Sequence, residues 1–67
     1  MTPEQIREAR QTLGLSQSQL ALLLGYSPAT GRHMVSHIER GEREMQTAQR
    51  RLLDAYLDGY RPKDWPR

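Results

Sequence analysis

Four glycines, Gly14, Gly25, Gly41 and Gly59, divide this 67-residue chain into short stretches, most of which read as helices. Glycine commonly follows a helix because it takes the left-handed backbone conformation there without a steric penalty. Thr2-Pro3-Glu4-Gln5 is a capping box, with Pro3 at the first helical position. Ile6, Ala9, Arg10 and Leu13 then repeat at helical spacing up to Gly14. Ser16-Gln17-Ser18-Gln19 is a second box, followed by apolar Leu20, Ala21, Leu23 and Leu24 and a stop at Gly25. Two helices joined by Gly14-Leu15-Ser16 leave no room for a strand.

Val35 to Glu39 reads as a third helix closing on Gly41. A fourth is predicted from near Met45 to Leu57, with Gly59 just past its end. Its buried stripe is Ala48, Leu52, Ala55 and Tyr56, flanked by Met45 and Leu53. Pro62 and Pro66 keep the segment after Gly59 from being helical throughout. The expected fold is all-α: a compact four-to-five-helix bundle with a helix-turn-helix and a short extended C-terminal tail. Residues 1–59 form the expected domain. Residues 60–67 form the tail, a candidate dimer contact.

A chain of this length makes one domain, which buries about 60% of the surface its unfolded form would expose. With no cysteine, disulfides and thiolate metal sites cannot supplement that core. A partner subunit is the remaining way to bury more. No stretch approaches the roughly 18 apolar residues of a membrane span, and the opening MTPEQIRE is unlike a secretory signal. The expected location is cytoplasmic. The net charge of +2 is mild, but all of it falls within residues 31–51, where five arginines face three glutamates and His33 and His37 lie among them.

The stretches LGLSQSQLALLLGYS and VSHIERGER together resemble the Cro/repressor-type (XRE) helix-turn-helix family over residues 4–57. The likeness rests on Arg10, Leu15-Ser16-Gln17, Leu20-Ala21, Leu24-Gly25, Ser27, Ser36, Ile38, Glu39 and Gly41 in order and spacing. It implies a lambda-repressor-like fold and a sequence-specific DNA-binding transcription regulator. That regulator is expected to be a repressor, binding an inverted-repeat operator as a homodimer, with its own operon as one candidate target. The tail LDGYRPKDW is similar to the ends of some short phage and mobile-element regulators, among them certain anti-CRISPR-associated repressors. The different-class alternative is an antitoxin-type interaction module that neutralises a partner protein.

One departure from the family pattern stands out. Ser27 and Ser36 are nine positions apart, about four more than the family spacing. Either Ser27 caps a helix with Pro28 at its first position, or Ser27 to Gly31 forms a longer turn and the helix starts near Arg32. The longer turn is the expected form, because Gly31 inside a helix costs about 1 kcal/mol.

Residues near the start of that helix carry the chemistry that base edges need. Arginine can bridge guanine O6 and N7, while serine and histidine donate or accept. Arg32, His33, Ser36 and His37 share one face and are the expected base-reading residues, with Val35 and Ile38 turned to the core. Gln17, Thr30, Arg40 and Arg43 are the expected phosphate contacts, Gln17 at the first position of the second helix. The resemblance implies that Arg10 and Glu39 form a structural pair across the core. His33-x3-His37 lacks a third ligand at ordinary spacing, so no metal is expected. No cofactor and no small-molecule substrate are evident. With no cysteine, no Gly-x-Ser-x-Gly and no clustered carboxylates, an enzyme is not expected. The expected partner is double-stranded DNA at its major groove.

Overall fold

The computed structural model describes residues 1–66. Its elements are α1 (Pro3–Thr12), α2 (Gln17–Leu23), α3 (Gly31–Glu39) and α4 (Thr47–Leu57). There is no strand and no fifth helix among the described residues. The expected tail runs on to Arg67, which lies outside them.

Both capping boxes form. Thr2 Oγ1 accepts from the Gln5 amide at 3.1 Å and Gln5 Oε1 from the Thr2 amide at 2.9 Å. Ser16 and Gln19 exchange the same two bonds at 3.0 and 2.9 Å. Four backbone donors that a helix start would leave orphaned are thereby satisfied, two at each helix.

The helices also end alike. After each, the amide of the glycine bonds the carbonyl three residues back, and the next amide bonds the carbonyl five residues back. In α1 these bonds are Gly14 to Gln11 and Leu15 to Arg10; in α3, Gly41 to Ile38 at 3.1 Å and Glu42 to His37 at 2.9 Å. This double bond pattern requires the left-handed residue that Gly41 supplies, at φ 78°.

Leu20, Leu24, Val35, Ile38 and Leu53 are the most deeply buried side chains, joined by Ile6, Ala9, Leu15, Ala21, Leu23 and Tyr56. Helix α3 packs on α2 and more lightly on α1. Helix α4 closes the core from the other side: the Tyr56 hydroxyl donates to the Leu23 carbonyl at 2.5 Å, and Gln49 Nε2 to the Leu24 carbonyl at 3.4 Å.

Two details of α4 differ from the sequence reading. The helix starts at Thr47 rather than near Met45, because Gln46 is extended at ψ 156°. Leu53 and Tyr56 are its buried residues, with Gln49, Leu52 and Ala55 half-buried beside them and Ala48 exposed. The polar Gln49 takes the inward place expected of Ala48 by bonding to the end of α2, and Leu53 moves from the flank to the centre.

The inserted segment combines the two forms weighed above. Ser27 Oγ accepts from the Ala29 amide at 3.3 Å, and the Ser27 carbonyl accepts from Thr30 and Gly31 at 3.2 and 2.7 Å. Pro28 therefore opens one capped helical turn. That turn breaks at Thr30, whose φ of −124° is outside the helical range, and α3 starts afresh at Gly31, one residue before Arg32.

The tail folds back on its own domain. Trp65 meets Tyr56 edge-on at 5.3 Å between centroids, Tyr60 stacks on Tyr56 at 6.0 Å, and the Arg61 guanidinium lies 4.2 Å from the Trp65 centroid. Arg61 Nη1 also donates to the Tyr56 and Tyr60 carbonyls at 2.8 and 2.9 Å.

Candidate nucleic-acid interface

Helix α3 is anchored at both ends. At its start, Gly31 is buried against α2: a Cβ built there would meet Ala21 Cβ at 2.8 Å and Tyr26 Cβ at 3.1 Å. Only a residue without a side chain allows the two helices to approach this closely. At its end, Glu39 receives Arg10 Nε at 2.7 Å and Arg10 Nη2 at 3.2 Å, a two-point pair whose side chains are only 15% and 5% exposed. Arg10 Nη1 also donates to the Leu15 carbonyl at 2.9 Å, so three donors of its fork are used.

The same carboxylate holds Gln17. Gln17 Nε2 donates to Glu39 Oε1 at 3.3 Å, linking the first residue of α2 to the last of α3. The sequence reading assigned Gln17 to a phosphate and Arg10–Glu39 to a structural pair; the structure joins all three in one network. Gln17 thus has a fixed orientation, with its amide oxygen not engaged by any of the hydrogen bonds found.

Between these anchors, Val35 and Ile38 are buried while Arg32 and His33 are exposed and Ser36 and His37 half-buried. All four candidate base-reading residues thus retain access to solvent on α3. Arg32 borders a shallow cleft of about 70 Å³ shared with Ser18, Leu22 and Pro28. Thr30 is exposed and its hydroxyl makes no capping bond.

The loop after α3 brings charge back beside the helix. Arg43 is exposed on an open groove of about 470 Å³ lined by Pro3, Ile6, Ile38 and Met45. Burial raises the Tyr26 phenol above its ordinary pKa, and the Arg43 charge partly offsets this, placing the cation within electrostatic reach of the α2–α3 turn. Arg40 Nη2 donates to Glu42 Oε1 at 3.1 Å, so this candidate phosphate contact already has an acidic neighbour.

Glu42 was not among the candidate residues. Its Oε1 lies 2.6 Å from His37 Nδ1, and this bond is the largest cause of a carboxyl pKa below the usual range. The pairing is i to i+5 across Gly41, a spacing that no helical pattern flags. His33 and His37 do not gather a metal site: among the described residues, no group of three or more histidine, aspartate or glutamate side chains is placed to hold an ion. Nor is any described helix long and apolar enough to cross a membrane.

A protein-family model described as helix-turn-helix matches residues 6–48, more than half of the chain. No curated protein and no solved structure matches it.

Proposed function

The chain belongs to the Cro/XRE-type helix-turn-helix family, and on that premise we propose that this DNA-binding transcription regulator is a repressor that binds an inverted-repeat operator as a homodimer. In this reading Arg32, His33, Ser36 and His37 meet base edges in the major groove. Gln17, Thr30, Arg40 and Arg43 meet phosphates on either side of it.

The observation that carries the reading is the double anchoring of α3. A helix held by Gly31 on Ala21 and by Glu39 on Arg10 and Gln17 presents its polar face in a fixed orientation. Direct readout needs that rigidity, because hydrogen bonds to base edges tolerate little displacement.

Size supports the homodimer. The longest extent of the domain is 30 Å, shorter than the roughly 34 Å between successive major-groove faces one duplex turn apart. One copy can offer one α3 to one half-site, and a second copy is needed for the other. Leu57 and Tyr60, 39% and 55% exposed at the end of α4, offer apolar surface for that contact. The antitoxin-type alternative is not favoured by membership of a DNA-binding family.

Selection of bound sequences from a random duplex pool tests the proposal. A symmetric pair of half-sites about one turn apart is the expected product. Enrichment of a single unrepeated half-site would remove the dimer, and no enrichment would remove sequence-specific regulation.

A further inference from the structure

Among the helix ends, that of α3 differs in one respect. The residue two past the cap is Leu15, Tyr26 and Tyr60 in the other three, where an apolar contact usually completes the motif. After α3 it is Glu42, and its partner is the side chain of His37, whose carbonyl its own amide already bonds at 2.9 Å. Backbone and side chain thus join the same two residues, and the turn at Gly41 fixes the carboxylate beside the ring.

A gap of 2.6 Å between Nδ1 and Oε1 has a definite meaning. Two bare lone pairs would repel at that separation, so a proton lies between them. The Glu42 carboxyl is held ionised by the His37 bond first, with the Arg40 charge also favouring the anion, so the proton resides on Nδ1. Arg40 Nη2 lies 3.3 Å from the same nitrogen and 3.1 Å from Glu42 Oε1; a guanidinium can only donate, and the shorter of its two contacts is to the carboxylate. Glu42 and Arg40 are the charged groups in contact with His37 among the described residues.

We infer that Glu42 is a specificity-determining positioning residue that locks His37 with its proton on Nδ1 and leaves Nε2 as a bare acceptor for DNA. This rests on the reading of His37 as a base-edge contact. In the major groove, adenine N6 and cytosine N4 carry amino donors, whereas guanine N7 and O6 and thymine O4 only accept. Neutral His37 in this tautomer selects an amino-bearing base. With the proton on Nε2 instead, the same ring donates, and the preference reverses to guanine or thymine at that position.

Two measurements on the full chain test this. The first is the ring ¹⁵N spectrum of the free protein at about pH 8, where a protonated Nδ1 and bare Nε2 are expected, and where Glu42→Gln shifts the population toward the Nε2–H form. A protonated Nε2 in the parent overturns the inference. The second is sequence selection at about pH 8. One position per half-site prefers adenine or cytosine in the parent, by about tenfold in relative affinity. In Glu42→Gln that preference passes to guanine or thymine while the other positions keep their ranking. Glu42→Asp, which retains the charge, restores part of it. If the parent enriches a clear operator but Glu42→Gln leaves every position unchanged, the inference fails and the regulator reading stands. If neither protein enriches any sequence, the regulator reading fails and takes the inference with it.

Discussion

The backbone of Gly31 lies so close to Ala21 that a single added methyl would sit 2.8 Å from Ala21 Cβ. Alanine is the better helix former by about 1 kcal/mol, yet here the clash decides the sign. Gly31→Ala is expected to destabilise the domain by about 1–3 kcal/mol, the usual range for overpacking. Adding Ala21→Gly should recover part of the loss. Urea unfolding of the parent and the two variants measures it; a stabilised Gly31→Ala would show that α2 and α3 can slide apart freely.

Glu39 satisfies Arg10 and Gln17 together. Glu39→Ala leaves a largely buried guanidinium without its anion, at a cost of about 3–5 kcal/mol. At about 0.05–0.15 kcal/mol per residue, a 67-residue domain has about 3–10 kcal/mol of stability, so the variant should lose a third or more of it and melt far below the parent. Arg10→Leu with Glu39→Leu removes both charges and should regain most of the helicity seen by circular dichroism. Equal damage from the single and double variants would mean that packing rather than pairing is what the site supplies.

How much of this was legible beforehand depends on distance along the chain. The capping boxes and glycine stops involve residues at most five apart, and the sequence displays them directly. The Arg10–Glu39 pair spans 29 positions and was foreseen only through a family resemblance, since a lone arginine on an apolar stripe names no partner. Gly31 read as a helix weakener because its neighbour Ala21 belongs to another helix. The α4 stripe differs at its first position because Gln49, polar by type, is half-buried by virtue of a bond to the Leu24 carbonyl, while Ala48 faces out. Glu42 escaped because the chain reverses at Gly41 before returning to His37.

Alkaline pH should weaken the fold through Tyr56. Burial raises its phenol above the ordinary 10.0, and the Asp64 and Tyr60 charges add to that. Above pH 10.0 the unfolded chain releases this proton while the folded one retains it. The unfolded state then binds fewer protons, so stability falls as pH rises. Tyr26 contributes with the same sign. Tyr56→Phe should cost about 1–3 kcal/mol at neutral pH by leaving the Leu23 carbonyl without its donor, and should flatten the alkaline slope without abolishing it. An unchanged slope would assign the titration elsewhere.

Arg43 and Arg32 should separate affinity from specificity. Binding is expected to weaken with salt by about 0.9 log units per decade for each phosphate neutralised. Arg43→Ala should reduce that slope while leaving the ranking of mutated operators intact. Arg32→Ala should instead relax preference at one base pair per half-site by about 1–3 kcal/mol. If Arg32→Ala lowers affinity for all sequences alike, Arg32 belongs with the phosphate contacts.

Because Gly31 and Glu39 fix α3 from its two ends, the solvent-facing positions between them carry little of the burden of holding the domain together. Arg32, His33 and Ser36 make no side-chain hydrogen bond to the rest of the described chain among those found, and exchanging them leaves the core untouched. If these residues read bases as proposed, the scaffold can acquire a new operator by changing a few letters of one helix, while its stability stays where it was. Recognition and folding can evolve separately here. His37 is the exception, since replacing it removes the ring that Glu42 Oε1 meets at 2.6 Å and leaves Glu42 with Arg40 alone, so a change there also alters the turn just beyond the helix.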